Sequence, residues 1–167
     1  RRVIVTGCAS GIGAALVRLL GGLGADVVGL DVRPPAPDLR VAGFHAIDLA
    51  DEESIADVAA AVEGPVDALF NVAGVSSGIK DPLRVVRINF LGTRRFTEAI
   101  TPLMPSGSAI ANVSSLAASQ YLANAPVTLG LLETQSFSDG IEWCHRNPEA
   151  LADGGYRLSK EATILYG

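Results

Sequence analysis

Short apolar runs alternate along the chain with longer stretches in which apolar residues recur at helical spacing. The runs are rich in Val, Ile, Leu and Ala and have the length of buried strands. They cover residues 3–5, 25–31, 41–49, 66–74 and 108–115. The stretches between them cover residues 12–23, 51–62 and 81–104. This alternation predicts an α/β fold, with a parallel sheet, right-handed crossovers and helices on both faces.

The first predicted helix, residues 12–23, shows the helical periodicity clearly. Its apolar stripe consists of Ile12, Leu16, Leu19, Leu20 and Leu23. Gly24 is predicted to end the helix. In the long helix predicted over 81–104, Pro82 is tolerated because it falls in the first turn.

One segment, residues 116–155, is much longer than the loop expected between a strand and a helix. It has helix signals of its own, with Ser138 predicted to cap one helix and Asn147–Pro148 to open another. Phe137 and Trp143 have two interpretations. They line a pocket for a bulky apolar substrate, or they form a small core under the insertion, which is the commoner use of such residues.

Composition narrows the class of protein. The chain has 167 residues, 49% of them hydrophobic and 19% charged, with a net charge of −5. These values predict a single globular domain over residues 1–167 and argue against a nucleic-acid partner. No apolar run is long enough to span a bilayer, so no membrane partner is expected. Cys8 and Cys144 form no ligand cluster, so we expect reduced thiols, a cytoplasmic location and no metal site.

A glycine-rich segment, TGCASGIG at residues 6–13, lies where the first strand turns into the first helix. Gly7 and Gly11 permit tight backbone angles, and Gly13 permits close packing of the helix on the sheet. The N–H groups at the start of that helix then favour a phosphate. A glycine turn without a ligand is the alternative. Asp31, an acid at the end of the second strand, favours a dinucleotide site.

Five motifs, in order along the chain, resemble those of the short-chain dehydrogenase/reductase family. They are TGCASGIG (6–13), NVAG (71–74), INFLG (88–92), NVSS (112–115) and YRLSK (156–160). The resemblance covers nearly the whole chain. It implies a Rossmann-type doubly wound parallel sheet of strand order 3-2-1-4-5. It also implies an NAD(H)-dependent oxidoreductase that interconverts a secondary alcohol and a ketone.

The resemblance assigns the chemistry to Asn89, Ser115, Tyr156 and Lys160. Tyr156 would exchange a proton with the substrate oxygen, and a phenol of ordinary pKa near 10 needs a neighbouring cation to do so at neutral pH. Lys160 lies four residues on, on the same helix face, and would also hold the ribose hydroxyls of the cofactor. By resemblance, Ser115 hydrogen-bonds the substrate oxygen, and Asn89 fixes a water that relays protons from Lys160.

Ordinary interpretations exist for these residues. Ser115 could be a polar strand end and Asn89 a helix-surface amide, but the ordered set of motifs favours catalytic roles. Tyr121 is a rival tyrosine without a lysine four residues on. Ser114 is a rival serine, and because neighbouring strand residues face opposite ways, only one of the pair faces the cleft. The alternative function is a catalytically silent NAD(H)-binding sensor or scaffold.

The expected cofactor is NAD rather than NADP. Asp31 can accept hydrogen bonds from the adenosine ribose, whereas Arg33 complicates the choice because an arginine there can accommodate a 2′-phosphate. Asp48 and Leu49 resemble the family's acidic–apolar pair at the adenine. The predicted cofactor residues are Gly7, Ser10, Gly11, Ile12, Gly13, Asp31, Arg33, Asp48, Leu49, Asn71, Ala73, Gly74, Tyr156 and Lys160.

The chain departs from the common family pattern in two places. Ser115 precedes Tyr156 by 41 positions. Such an insertion, together with GCASGIGAA (7–15), GLDVR (29–33) and SSLAAS (114–119), most resembles the 3α-hydroxysteroid dehydrogenase/carbonyl reductase subgroup. That similarity makes a hydroxysteroid or another bulky carbonyl compound one possible substrate. Only seven residues follow Lys160, so we expect a C-terminally incomplete chain whose later strands are absent. The resemblance also implies a small-molecule alcohol or ketone as partner and a homo-oligomer, dimer or tetramer.

Overall fold

The sheet has five parallel strands in the order β3-β2-β1-β4-β5, in a computed structural model that describes residues 1–167. The strands are β1 (Arg2–Thr6), β2 (Asp26–Asp31), β3 (Gly43–Ala46), β4 (Ala68–Asn71) and β5 (Ala109–Asn112). The predicted fold class and strand order are confirmed. The four later strands are shorter than their apolar runs, because the ends of those runs lie in the connecting loops.

Seven α-helices connect or flank the strands. They are α1 (Gly11–Gly22), α2 (Glu52–Ala61), α3 (Pro82–Val86), α4 (Thr93–Ile100), α5 (Tyr121–Leu132), α6 (Phe137–Arg146) and α7 (Tyr156–Tyr166). None of them combines the length and the apolar character that a bilayer crossing requires. A π-helical turn, Arg87–Gly92, joins α3 to α4, so the long helix predicted over 81–104 is present but distorted around Asn89.

Only part of the predicted apolar stripe of α1 is buried: Leu16 and Leu20 pack against the core, and the other three residues do not. Ile12, Leu19 and Leu23 are 66%, 61% and 76% exposed, whereas Gly13, Ala14 and Val17 are buried. A Cβ on Gly13 would overlap the carbonyl oxygen of Gly7. Small residues therefore form the centre of the packing face, and apolar spacing alone predicted the helix but located its buried face only in part.

The core has two parts, one on each side of the sheet. A cluster of 22 buried residues includes Leu69, Phe90 and Leu158, and a cluster of seven includes Val5 and Val17. At one edge of the sheet, β5 pairs with β4 alone. Its Ala109, Ile110 and Ala111 are exposed, so the strand packs against little besides β4.

The insertion folds as α5, α6 and a 3-10 turn at Pro148–Leu151. The prediction that Ser138 caps a helix is wrong. Ser136 is the cap, because its hydroxyl accepts the N–H of Asp139 at 3.0 Å. Asn147 precedes the 3-10 turn, as expected. Phe137 belongs to the 22-residue cluster and Trp143 packs against it, so both contribute to the main core rather than to a separate small core under the insertion.

Candidate active site

The glycine loop leaves free donors at the start of α1. Gly7 and Gly11 have φ values of +71° and +52°, which only glycine adopts easily. A Cβ on Gly7 would lie 2.8 Å from the Cα of Ala73. The side chain of Ser10, which precedes the helix, makes no capping hydrogen bond. The first N–H groups of the helix are therefore open to an anion such as a pyrophosphate.

A cavity of about 620 Å³ lies in front of these donors, at the carboxyl ends of the strands. Its lining contains most of the predicted cofactor residues: Gly7, Ser10, Gly11, Ile12, Gly13, Asp31, Arg33, Asp48, Leu49, Ala73 and Gly74. The volume and the polar–apolar mixture of the lining suit the adenosine and pyrophosphate of a dinucleotide. Tyr156 and Lys160 lie outside this lining.

Asp31 is fixed in the cavity wall by two backbone amides. Its Oδ2 accepts the N–H of Ala9 at 2.9 Å, and its Oδ1 accepts the N–H of Arg33 at 3.2 Å. Each carboxylate oxygen keeps a second lone pair for a ribose hydroxyl. The side chain of Arg33 is exposed at the rim.

Sequence reasoning missed the cavity wall that follows β4. Ile79, Asp81, Arg84 and Ile88 line it. The guanidinium of Arg84 lies 3.0 Å from the carboxylate of Asp48, so the two residues form an ion pair in the lining of the cavity. Only Ile88 falls in one of the five motifs, because the packing of residues 77–88 beside the sheet, rather than a local pattern, brings these side chains to the cavity.

Lys160 joins the Tyr156 helix to the end of β5. Its Nζ donates to the carbonyl of Val113 at 2.8 Å and lies 5.9 Å from the centre of the Tyr156 ring. Burial lowers the pKa of Lys160 below its ordinary value. The Val113 carbonyl engages one of the three ammonium hydrogens, so two donors remain for other partners.

The two neighbouring serines have different surroundings. Ser114 donates its hydroxyl hydrogen to the carbonyl of Lys160 at 2.8 Å, which fastens the end of β5 to α7. The Ser115 hydroxyl accepts the N–H of Ala117 at 3.2 Å and is half-buried. Its own hydrogen remains available to a substrate oxygen. This arrangement supports the choice of Ser115, whose catalytic role remains a prediction.

Asn89 is buried in the π-helical turn with its side chain fixed. Its Oδ1 accepts the N–H of Val75 at 2.8 Å, and its Nδ2 donates to the carbonyl of Val75 at 2.9 Å and to Ser159 at 3.1 Å. A Cβ on Gly74 would lie 3.3 Å from Asn89 Oδ1 and 3.5 Å from Lys160 Nζ. Both side chains thus flank Gly74. A relay water would meet the second lone pair of Asn89 Oδ1, because both amide hydrogens are engaged.

Asn71, another predicted cofactor residue, does not line the cavity. It is 5% exposed, and its Nδ2 donates to Thr97 at 2.9 Å and to Asn112 at 2.8 Å. These bonds tie β4 to β5 and to α4. The geometry gives Asn71 a role in holding the sheet edge together.

The fold and the glycine-loop site define a dinucleotide-binding Rossmann protein, and comparison with known proteins specifies its family. The family model described as short chain dehydrogenase matches residues 1–127. The chain belongs to the short-chain dehydrogenase family. It is 35% identical over 166 residues to a coniferyl-alcohol dehydrogenase of Pseudomonas sp., covering 99% of this chain and 64% of that protein.

Another relative and two solved structures add detail. The 3-alpha-hydroxysteroid dehydrogenase/carbonyl reductase of Comamonas testosteroni is 33% identical over 132 residues, covering 77% of this chain and 50% of that protein. The crystal structure of the 3-alpha-hydroxysteroid dehydrogenase from Pseudomonas sp. B-0831 with NADH superposes with a TM-score of 0.75 at 27% identity, covering 99% of this chain and 64% of that one. A blue fluorescent protein from a metagenomic library, in complex with NADPH, superposes with a TM-score of 0.62 at 29% identity, covering 72% of this chain and 57% of that one. The chain thus spans only about half to two thirds of each of these proteins.

Proposed function

We propose that the protein is an NAD(H)-dependent oxidoreductase that interconverts a secondary alcohol and a ketone. One observation carries the proposal: the buried ammonium of Lys160 lies 5.9 Å from the Tyr156 ring and is hydrogen-bonded to Val113, two residues before Ser115. These contacts place the ammonium of Lys160 beside the Tyr156 ring and against the strand end that leads into Ser115. Such a cluster suits proton transfer to a carbonyl oxygen, and a module that only binds NAD(H) would not need it.

Each residue has a defined task in this proposal. NAD(H), when bound, accepts or supplies the hydride at the substrate carbon. Tyr156 takes the hydroxyl proton during alcohol oxidation and returns one to the oxygen during ketone reduction. Lys160 stabilises the phenolate by its positive charge, and its remaining hydrogens can hold ribose hydroxyls. Ser115 donates a hydrogen bond to the same substrate oxygen, which holds the reacting carbon in place.

NAD is proposed as the preferred cofactor because of Asp31. Two backbone amides fix its carboxylate at the end of β2, where a 2′-phosphate would meet a negative charge. The guanidinium of Arg84 is already paired with Asp48, which leaves Arg33 as the cation for a phosphate at that end. The side chain of Arg33 is exposed at the rim of the cavity, so we expect its attraction for a 2′-phosphate to be weaker than the repulsion by the fixed carboxylate of Asp31.

The substrate class is the open part of the proposal. A secondary alcohol of hydroxysteroid size agrees with the insertion, whereas the relative named for coniferyl alcohol makes a primary allylic alcohol the second candidate. A silent NAD(H) sensor is the alternative from another class. Homo-oligomer formation and a cytoplasmic location remain predictions. Sedimentation and fractionation of the intact protein would check them.

A substrate screen tests the proposal directly. The intact protein is incubated with NAD or NADP and with androsterone, coniferyl alcohol or a simple secondary alcohol, and NADH absorbance is followed. The proposal expects turnover with NAD and a secondary alcohol. Turnover of coniferyl alcohol and of no secondary alcohol would make primary allylic alcohols the substrate class instead. Stoichiometric NADH binding without turnover of any alcohol or ketone would favour the sensor.

A further inference from the structure

Glu161, the residue directly after Lys160, is a carboxylate with no exposed surface. Withdrawing a carboxylate from water is strongly unfavourable unless charged or hydrogen-bonding groups surround it. Neither the cofactor cavity nor the proposed chemistry uses Glu161. Its burial therefore requires a separate explanation, and its partners supply one.

The partners of Glu161 come mainly from the insertion. Its Oε1 accepts a hydrogen bond of 2.6 Å from the side-chain amide of Asn124, and its Oε2 lies 3.3 Å from the hydroxyl of Thr128. Both donors belong to α5, and Thr128 is itself fully buried. The single hydroxyl hydrogen of Thr128 could instead go to the Asn124 carbonyl, also at 3.3 Å, but a carboxylate is the stronger acceptor. Arg157 of α7 completes the site at 3.3 Å.

The opposite side of α7 is fastened to the end of β5. There the Lys160 ammonium donates to the Val113 carbonyl at 2.8 Å, and the Ser114 hydroxyl donates to the Lys160 carbonyl at 2.8 Å. Helix α7 is therefore held between the strand end and α5. Ser115 lies in the connection from that strand end to α5, so this connection is the route by which a shift of α5 relative to α7 would reach Ser115.

A second buried charge holds the far end of α5. Arg94 is 5% exposed and donates to the carbonyl of Leu132 at 3.3 Å, to the Thr134 hydroxyl at 3.1 Å and to the carbonyl of Ser136 at 3.3 Å. Arg94 belongs to α4, which follows the turn that carries Asn89. Glu161 thus links α5 to the catalytic helix α7, and Arg94 links the far end of α5 and the turn after it to α4, which continues from the turn that carries Asn89.

We propose that Glu161 is a positioning residue that clamps α5 against α7 and thereby sets the place of Tyr156 and Lys160 relative to Ser115. The proposal rests on the function proposed above. In this account the insertion acts on catalysis through its contact with the catalytic helix. Even a small separation of the two helices would change the position of the proton donor relative to the serine. The rate would fall, because proton and hydride transfer depend steeply on alignment.

The test compares kcat per NADH-binding site in variants of the intact protein. NADH titration first counts competent sites, and oxidation of androsterone or coniferyl alcohol with NAD then gives kcat and KM. Glu161→Gln and Asn124→Leu should lower kcat about tenfold or more, while NADH affinity stays within about twofold. Thr128→Val should lower kcat by less than these two variants do. Thr128→Ser, which keeps the hydroxyl, should have the wild-type kcat.

A matched control separates this role from simple stability. Glu142→Gln removes an exposed carboxylate of α6 that pairs with Arg146 and does not touch α7, so it should leave kcat unchanged. If the Glu161 and Asn124 variants lose thermal stability but keep wild-type kcat per NADH site, the positioning role is wrong. If Glu161→Gln fails to fold, kcat per NADH-binding site is compared between Thr128→Val and Thr128→Ser instead. A lower value for the valine variant supports the positioning role, and equal values contradict it. Absence of turnover in the wild type, by contrast, would refute the proposed function and this proposal with it.

Discussion

The hydroxyl of Thr6, at the end of β1, accepts the backbone N–H groups of both Val72 and Ala73 at 3.0 Å. Thr6 is 1% exposed, and its hydroxyl hydrogen points to the carbonyl of Phe70 at 3.4 Å. One side chain therefore fixes the loop that follows β4 against the glycine loop. The two loops form facing walls of the cofactor cavity.

Removing that hydroxyl should loosen both walls. Thr6→Val keeps the shape of the side chain but leaves two amides without an acceptor, at about 1–3 kcal/mol for each. We expect a lower free energy of unfolding by urea and weaker NADH binding. Thr6→Ser keeps the acceptor and should stay close to wild type in both measurements. Equal behaviour of the valine and serine variants would mean that the hydroxyl contributes nothing.

The close approach of α1 to the glycine loop gives a second prediction. In Gly13→Ala the added methyl group would overlap the Gly7 carbonyl oxygen, so we expect a destabilisation of about 1–3 kcal/mol and at least roughly tenfold weaker NADH binding. Gly21→Ala, in the same helix, meets nothing within 4 Å and should raise stability by about 0.5–1 kcal/mol. Calorimetry and NADH titration of the pair check this. Tight NADH binding by Gly13→Ala would contradict the loop geometry.

Cofactor preference tests the role of Asp31. We expect the intact protein to prefer NAD over NADP by at least roughly a hundredfold in kcat/KM, because the fixed carboxylate repels a 2′-phosphate. Asp31→Asn keeps an oxygen acceptor for one amide and removes the charge, so it should narrow the preference. Equal efficiency with both cofactors in the wild type would show that Arg33, not Asp31, sets the choice.

The buried thiols predict a loss of stability at alkaline pH. Burial raises the pKa of Cys144 from an ordinary value of 9.0 to about 11. Because the folded-state pKa is the higher one, this thiol's contribution is complete below about pH 9 and is lost as the pH rises to about 11. Lys160, whose pKa burial lowers, acts in the opposite direction and can mask the trend in the wild type.

Comparison with Cys144→Ala isolates the thiol from Lys160. The free energy of unfolding by urea is measured at several pH values in both proteins. Between about pH 9 and about pH 11 it should fall by on the order of 2 kcal/mol less in the variant than in the wild type. The cavity left by the missing sulfur lowers stability equally at every pH and does not affect the slope. Identical slopes in both proteins would show that Cys144 titrates normally in the fold.

The sequence predicted most of the fold because buried parallel strands are short continuous apolar runs. It predicted the helix of residues 12–23 but only part of its buried face, since small residues such as Gly13 form the centre of that face while Leu19 and Leu23 are exposed. Apolar spacing shows that a helix is amphipathic, but close packing on a sheet can favour the side with the smallest side chains. The Ser138 cap was missed by two residues because Ser136 offers the same hydroxyl.

Motifs predicted the candidate site where a local backbone shape or a fixed spacing is required, as in the glycine loop and the pair of Tyr156 and Lys160. They missed residues that reach the site only through tertiary packing. Arg84 comes from the side of α3 that packs beside the cavity. Two partners of Glu161, Asn124 and Thr128, come from α5, at a sequence distance of more than thirty residues, and no local pattern marks them.

The central claim is that Tyr156 exchanges the proton in a hydride-transfer reaction, and Tyr156→Phe tests it most directly. In the intact protein, this variant should lose at least about a hundredfold in kcat with the best alcohol of the screen, because general acid–base catalysis is removed. NADH affinity should stay within about twofold, since only the hydroxyl is lost. Tyr121→Phe, a control tyrosine without a lysine partner, should keep wild-type kcat. Near wild-type turnover by Tyr156→Phe would contradict the account.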